Sequence, residues 1–150
     1  MFEKIFKKMR AGADTPSEVD EADATQIAVA ALCVEAAKAD EDYEASEIAI
    51  IDSFLAKRFA LNTEEAVALR AKAESAQSDA LDIQRFTRIA KEMTEDEKIG
   101  FIENLWEIVL SDGNRDPFED TLIRRICGLI YVSDPASGAA RARVAARLDQ

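Results

Sequence analysis

The sequence predicts an all-α protein, folded as a single compact bundle of about seven helices. Three observations support this prediction. From residue 24 onward apolar side chains recur with the helical period, no segment shows the sustained alternation of a β-strand, and 150 residues is near the usual size of one domain. We therefore expect a helical domain over residues 24–150, preceded by a separate segment over residues 1–23.

Residues 1–23 differ in composition from the rest of the chain. Residues 1–10 have the spacing of a short basic amphipathic helix, and residues 11–23 are rich in acids and indicate a solvated linker. Such a helix can contact a membrane surface or a partner protein. The side chains predicted to make that contact are Phe2, Ile5, Phe6, Lys7 and Lys8. The alternative is that the helix packs on its own domain.

Four helices follow in the first half of the domain. Apolar residues at helical spacing predict two helices, over residues 24–34 and 48–59, on either side of an acidic turn. Thr63 is the predicted N-cap of a third helix. Residues 81–93 are expected to form a fourth, with Ile83, Phe86 and Ile89 on its apolar side.

The second half begins at a capping box that runs from Thr94 to Glu97. The helix that starts there leads to a second acidic turn, after which Pro117 occupies the first position of another helix, where its missing N–H costs nothing. Ser133, Asp134 and Pro135 predict the start of the last helix in the same way.

One acidic pattern occurs twice, 72 positions apart. It reads E-x4-D-x-D-x-E-x-x-E from Glu35 and E-x4-D-x-N-x-D-x-x-E from Glu107. Self-similarity at a fixed spacing is typical of repeated structural units. We therefore expect the bundle to contain two pseudo-repeated helix, acidic turn, helix units that pack about a pseudo-twofold axis.

Composition excludes several classes of function. The net charge of −11 and pI near 4.5 argue against nucleic acid as the main partner, because phosphate backbones are bound by clustered Lys and Arg. The chain has no histidine, which removes the commonest ligand for zinc and copper and leaves hard cations bound by oxygen.

Cys33 and Cys127 lie in apolar helical patterns and are expected to be reduced core thiols, which indicates a cytoplasmic protein. No apolar run is long enough for a transmembrane helix.

The acidic turns invite comparison with an EF-hand, because D-x-D-x-E and D-x-N-x-D place alternate side chains on one side of a tight loop. The comparison fails at loop positions six and twelve. Ala45 or Pro117 replaces the glycine, and Ile51 or Ile123 replaces the bidentate glutamate. Neither turn is an EF-hand.

Helix capping accounts for part of the pattern. Glu47 follows Glu44 by three positions, and Glu119 follows Asp116 by three. This spacing predicts capping interactions at a helix start, where the helix dipole also favours negative charge.

Capping leaves other acids unexplained. Asp40 and Asp112 lie where the preceding helix should end, so their charges meet the negative end of its dipole. Glu35 and Glu107 lie further upstream on helices that otherwise face a core. If both turns face one pocket, the acids could hold a divalent cation such as Ca²⁺, Mg²⁺ or Mn²⁺. The candidate ligands are Glu35, Asp40, Glu47, Glu107, Asp112, Asp116 and Glu119. The alternative is a hydrated acidic surface that docks a basic protein partner.

The same residues resemble the TerB-like family. The resemblance is carried by residues 31–40 (A-L-C-V-E-A-A-K-A-D) followed by Glu47, by Arg85-Phe86-Thr87, and by residues 105–119, in which W-E-x4-D-G-x-x-D-P-x-E joins several unusual choices in one order. The similarity covers residues 24–148. The resemblance implies an all-helical fold made of two related halves.

The resemblance also implies an acidic site at Asp40, Glu47, Asp112 and Glu119. The family has A-D-G at both turns, whereas the first turn here has Glu41 in place of glycine, so a left-handed backbone is less easy there. The implied role is a non-catalytic accessory function in tellurite and other stress responses.

We expect a cytoplasmic, non-enzymatic binding module with no catalytic residues. A metal-dependent hydrolase is the competing class, since paired carboxylates can hold two cations and activate water. However, the chain has no nucleophile motif and no phosphate-binding glycine loop. A third class is a membrane-peripheral adaptor that uses residues 1–10.

Overall fold

The computed structural model describes residues 16–39, 43–111 and 117–149, with side chains omitted for residues 16–22 and 117. All regular structure in these ranges is helical, which confirms the predicted all-α class. The seven helices of the described residues are α1 (Pro16–Lys38), α2 (Ala45–Phe59), α3 (Thr63–Asp79), α4 (Gln84–Ala90), α5 (Glu95–Leu110), α6 (Pro117–Ile130) and α7 (Asp134–Leu148).

Helix α1 lies at the centre of the bundle. It packs against α2, α3, α4, α5 and α6. Between Ala28 and Ala37 every side chain except Glu35 is almost completely buried. A helix that is apolar on all sides must be surrounded by other elements, and the many alanines let those elements approach closely.

The start of α1 differs from the prediction. Residues 16–23, which we expected in an acidic linker, form the first two turns of the helix. Pro16 suits the first helical position, and acids near a helix N-terminus are favoured by its dipole. An acidic, weakly apolar segment is therefore compatible with a helix start as well as with a linker.

The helix boundaries of the two units coincide in the register of the repeat. Helices α1 and α5 end at Lys38 and Leu110, and α2 and α6 start at Ala45 and Pro117. In both cases the positions lie 72 residues apart. A later helix packs against the first helix of each unit: α3 packs against α1, and α7 packs against α5. The pseudo-twofold arrangement stays a prediction.

Capping side chains fix where several helices begin. At α5 the predicted capping box is present: Glu97 N donates to Thr94 Oγ1 at 3.2 Å, and Thr94 N donates to Glu97 Oε1 at 2.9 Å. At α3 the cap is Asn62 rather than Thr63, since Glu65 N donates to Asn62 Oδ1 at 2.8 Å. The prediction of Thr63 as the N-cap was therefore wrong by one residue, because Thr63 already lies inside the helix.

Helix α4 is shorter than the predicted helix over residues 81–93. The side chain of Asp82 accepts a hydrogen bond from Gln84 N at 2.8 Å and so holds a turn before the helix. Short polar side chains compete with the helix in this way. The side chain of Leu81 is consequently exposed, while Ile83 and Phe86 are buried as expected.

The cysteines belong to the core, as predicted, and so does the tryptophan. Cys33 and Cys127 are buried free thiols, and burial raises the pKa of Cys33 to about 12. Trp106 Nε1 donates to Ser137 Oγ at 3.1 Å and so joins α5 to α7. Within the described ranges no helix is both long and apolar enough to span a membrane.

The C-terminus of α2 offers a test of backbone strain. Ala60 has a φ of 55°, in the left-handed region that favours glycine. Left-handed backbone costs a non-glycine residue about 1–2 kcal/mol, and the greater unfolded-state freedom of glycine offsets about 0.4–1 kcal/mol. We expect Ala60→Gly to raise the free energy of unfolding by about 0.5–1 kcal/mol in urea denaturation.

The matched control for that substitution is Ala80→Gly. Ala80 follows α3 with a φ of −81°, which alanine adopts without strain. This variant should lose about 0.4–1 kcal/mol. Equal effects at the two alanines would contradict the strain at Ala60.

The cap of α3 gives a second test. We expect Asn62→Ala to lower the free energy of unfolding by about 1 kcal/mol, because it removes the acceptor for Glu65 N. The adjacent Thr63→Ala should change it by less than about 0.5 kcal/mol, since Thr63 is exposed and lies inside the helix. Urea denaturation of both variants measures the difference, and a larger loss at Thr63 would show that the cap is assigned to the wrong residue.

Candidate functional site

The candidate site lies at the two acidic turns, between α1 and α2 and between α5 and α6. Three of the seven predicted ligands lie outside the described residues: Asp40, Asp112 and Asp116. The side chains predicted for membrane or partner contact also lie outside them: Phe2, Ile5, Phe6, Lys7 and Lys8. The structure therefore places four predicted ligands, Glu35, Glu47, Glu107 and Glu119.

Glu47 and Glu119 are both buried. Each is the third residue of its helix, α2 or α6, and only 1% of Glu47 and 2% of Glu119 is exposed. Glu44 N donates to Glu47 Oε1 at 3.0 Å, so Glu47 makes the backbone contact that its spacing predicts. The two glutamates are 72 positions apart, in the register of the repeat.

Helix capping does not by itself require this burial. Glu65 and Glu97 occupy the same third position in α3 and α5, and each accepts a hydrogen bond from the N-cap backbone at 2.9 Å. Yet Glu65 is exposed and Glu97 is partly exposed. The N–H of Thr94 holds the pKa of Glu97 below its ordinary value without any need for a buried carboxylate. The glutamate at the third position is thus buried in α2 and α6, but exposed in α3 and partly exposed in α5.

Burial of a carboxylate has an energetic cost that other groups must offset. Removing an ionised carboxylate from water costs several kcal/mol, and the compensation comes from hydrogen bonds, a positive charge, a bound cation or a proton. The contact with Glu44 N supplies part of that compensation at Glu47. A bound cation is thus one of the ways in which the charge of a carboxylate buried at each of two related turns can be compensated.

Glu35 lies in a cleft beside the first turn. The cleft has a volume of about 510 Å³ and is lined by the ends of α1 and α3, the start of α4 and Arg125 of α6. Gln77 Nε2 donates to Glu35 Oε1 at 2.8 Å, and Lys38 Nζ donates to Gln77 Oε1 at 3.3 Å. Glu35 is thus held by α3 at the edge of the core.

A second polar chain joins the first turn to α3 and α2. Tyr43, which precedes α2, donates its hydroxyl hydrogen to Glu74 Oε2 at 2.6 Å. Arg70 Nη1 donates to Glu74 Oε2 at 3.0 Å, and Arg70 Nε donates to Asp52 Oδ1 at 2.6 Å. Lys38 Nζ lies 5.3 Å from the centre of the Tyr43 ring. These contacts fix the C-terminal side of the turn on two helices.

The contacts of this polar chain shift the pKa values of Tyr43, Glu74 and Arg70. Burial and the hydrogen bond to Glu74 raise the pKa of Tyr43 well above its ordinary value. Burial also tends to raise the pKa of Glu74, but hydrogen bonds from Tyr43 and Arg70 outweigh it and lower the pKa. The hydrogen bond to Asp52 raises the pKa of Arg70 above its usual range. At neutral pH Tyr43 is therefore a neutral phenol, Glu74 a carboxylate and Arg70 a guanidinium.

Glu107 lies in a different cleft, between α2 and α5. That cleft has a volume of about 440 Å³, and Lys57 and Arg147 contribute positive charge to its lining. Arg143 Nε donates to Glu103 Oε2 at 2.7 Å, and Arg147 Nη1 lies 3.5 Å from Glu103 Oε1. Glu107 is therefore surrounded by neighbours that differ from those of Glu35.

The structure does not bring Glu35 and Glu107 together, since the linings of their clefts share no residue. Across the described ranges, no three acidic or cysteine side chains are grouped as a metal site would require. Of the four predicted ligands that the structure places, Glu47 and Glu119 are buried at equivalent helix starts. Glu35 and Glu107 lie in separate clefts.

Sequence reasoning missed the polar chain of Tyr43, Glu74, Arg70 and Asp52, and it missed the bond of Gln77 to Glu35. A signal for part of it was present. Arg70, Glu74 and Gln77 recur at helical spacing and so form one polar stripe along α3. The apolar residues of that segment predicted the helix, but nothing in the spacing could show that the stripe faces Tyr43 and Glu35.

Residues 26–142, more than half of the chain, match the family described as Tellurite resistance protein TerB. Searches of curated proteins and of solved structures give no match. The family match extends over both acidic turns and over α2 to α6.

The burial of Tyr43 and its hydrogen bond to Glu74 predict a raised pKa for the Tyr43 phenol. The protein has two tyrosines, so in Tyr131→Phe the phenolate absorbance reports Tyr43 alone. We expect its titration midpoint to lie well above the ordinary value of about 10. A midpoint at the ordinary value would contradict the buried bond to Glu74.

The raised pKa of Tyr43 also sets the sign of a stability change. The folded state holds the phenol proton more tightly than the unfolded state, so this contribution is complete below about pH 10 and is lost as the pH rises further. The stability advantage of the wild type over Tyr43→Phe should accordingly shrink above that pH in urea denaturation.

Proposed function

The chain belongs to the TerB family, as its resemblance predicted, and from this membership we propose that it is a non-enzymatic accessory module of the tellurite and stress response that binds a divalent cation at its acidic turns. The cation is Ca²⁺, Mg²⁺ or Mn²⁺. Its proposed ligands come from the carboxylates at and beside the two turns.

One observation carries this proposal. The two register-equivalent glutamates, Glu47 and Glu119, are buried, whereas Glu65 and Glu97 at the same helix position are exposed and partly exposed while making the capping contact that Glu47 makes. A cap needs only one oxygen near the N-cap N–H. Burying the whole carboxylate at both turns makes physical sense where positive charge is to be bound.

The ligand chemistry selects a hard cation. The chain has no histidine, and its two cysteines are core thiols whose pKa values are raised by burial. Carboxylate oxygen is the ligand type that remains, and it suits Ca²⁺, Mg²⁺ and Mn²⁺. Asp40, Asp112 and Asp116, which lie outside the described residues, are the further carboxylates that the sequence offers at these turns.

The surroundings of the first turn support a fixed rather than an adaptable site. Tyr43 is held by Glu74, and Glu74 is held by Arg70, which also binds Asp52. The hydrogen bonds made directly to proposed ligands are those from Gln77 to Glu35 and from Glu44 N to Glu47. Bonds of that kind orient ligands and are worth about 10–100-fold in metal affinity.

The proposed accessory role in the tellurite and stress response is inferred from membership of the TerB family. A module without a nucleophile motif or a phosphate-binding glycine loop is better suited to sensing or docking than to catalysis. In such a module, cation binding would alter the charge and rigidity of the acidic turns. A partner protein that recognises one state of the turns would then respond to the ion.

Calorimetric titration with Ca²⁺, Mg²⁺ and Mn²⁺ tests the proposal. We expect at least one ion to release or absorb heat with the wild type and to raise its melting temperature, since a ligand that binds only the folded state stabilises it. Asp40→Asn combined with Asp112→Asn, and Glu47→Gln combined with Glu119→Gln, should each weaken binding by at least about tenfold.

Glu65→Gln is the matched control, because Glu65 makes the same capping contact at an exposed position. It should leave ion affinity unchanged. No heat and no change in melting temperature with any of the three ions would reject the cation site and leave the acidic turns as a docking surface for a basic partner.

A further inference from the structure

The groove between α2 and α5 combines an apolar wall with polar groups at defined places. This groove is the cleft of about 440 Å³ that Glu107 lines, and small-molecule sites typically have volumes of about 300–1,000 Å³. Its lining on α5 extends from Gly100 to Glu107, which is about 10 Å along a helix axis. Its wall on α2 includes Ile50 and Phe54, which are only partly buried.

A buried amide lines this groove. Only 4% of Asn104 is exposed, and its Nδ2 donates to Cys33 Sγ at 3.2 Å, so the amide nitrogen is directed into the core. Among the described residues no group donates to the amide oxygen, yet that oxygen is not completely enclosed. The oxygen is therefore the part of Asn104 that is open to the groove, where it can accept a hydrogen bond from a ligand.

The groove is negative at one end and positive at the other. Arg58 of α2 pairs with Glu97 at 2.9 Å, so the end of α2 lies beside the start of α5 and the two helices run antiparallel. Lys57, next to Arg58 in the chain, consequently lies near the start of α5. Glu107 lies near the end of that helix. The two charges are thus about 10 Å apart along the groove.

The charges at the two ends are not engaged by the fold. Lys57 and Glu107 form no ion pair within the part of the chain that the structure describes. The other charged residues of the lining, Glu103 and Arg147, lie 3.5 Å apart, and Glu103 also accepts a hydrogen bond from Arg143 Nε at 2.7 Å. The groove therefore offers one carboxylate and one ammonium group to a ligand.

We propose that the groove binds a short peptide of about three residues that has free termini and apolar side chains. Its α-ammonium group pairs with Glu107, its carboxylate pairs with Lys57, and its side chains pack on Ile50 and Phe54. Three extended residues span about 10 Å, which matches the distance between the two charges. Asn104 lies one helical turn before Glu107 on the same face of α5, so its oxygen accepts from the first peptide N–H.

A peptide of this length fits the groove better than simpler ligands do. A free amino acid reaches only one end, because a single carbon separates its two charges. Inorganic phosphate is repelled by Glu107, and a divalent cation gains nothing from the apolar wall. The site shares Glu107 with the proposed cation ligands but does not depend on cation binding, so EDTA keeps the two tests separate.

Calorimetric titration of the full chain with alanyl-leucyl-alanine, in EDTA, tests the site. We expect saturable binding with a Kd below about 1 mM. Acetylation of the peptide's amino terminus should weaken binding by at least about tenfold, because it removes the charge that pairs with Glu107. Glu107→Gln should cause a similar loss. Glu64→Gln is its matched control, since Glu64 is exposed on α3 and does not line the groove.

Filling the groove gives a second test. A Cβ added at Gly100 or at Gly128 meets no atom within 4 Å, and both glycines are exposed in helices where leucine is the better helix former. Gly100→Leu should therefore keep or raise the melting temperature while it weakens peptide binding by at least about tenfold. Gly128→Leu, which lies on α6 outside the groove, should bind as the wild type does.

Three results would overturn the proposal. The first is no saturable heat with the free tripeptide. The second is an equal effect of Gly100→Leu and Gly128→Leu, which would place any binding elsewhere. The third is equal binding of the tripeptide blocked at both ends, which would assign the groove to an apolar segment within a partner protein.

Discussion

The burial of α1 on all sides is the constraint on which the rest of the structure depends. The helix is in contact with five other helices, every side chain from Ala28 to Ala37 except Glu35 is almost completely buried, and Glu35 lines a cleft. Because so many elements pack on one helix, its end at Lys38 is fixed in the bundle. The position of the first acidic turn follows from that end.

The helices on either side of the two acidic turns end and start at equivalent positions of the repeat, and the described residues of the first turn have a polar connection to α3. Helix ends and starts coincide in the register of the repeat, and both turns lead into a helix whose third residue is a buried glutamate. The first turn is additionally joined to α3 through Tyr43, Glu74 and Arg70. The residues 72 positions after Glu74 and Arg70 are both alanine, so the second unit cannot build the same chain. Related units can thus present similar acids with different rigidity.

Charge is segregated in this molecule. Glu119 and Asp120 lie in the first turn of α6, whereas Arg124 and Arg125 lie further along that helix, and α4, which packs against α6, carries Arg85 and Arg88 without an acid. The net charge of −11 therefore describes neither the acidic turns nor the cationic segments of α4 and α6. Local potential, rather than the total, determines which partner each surface attracts.

The sequence by itself determined the helical class, most helix positions, the capping box at Thr94 and the register of the two acidic turns, because these follow from periodicity and from side chains a few residues apart. It also indicated the family. Only the tertiary structure decided that Asn62 rather than Thr63 caps α3, that Glu47 is buried while Glu65 is not, and that Tyr43 reaches Glu74. Those outcomes depend on which helix face meets which neighbour. Contacts between residues far apart in the chain leave no mark in local spacing, so the sequence predicted the candidate residues but not their surroundings.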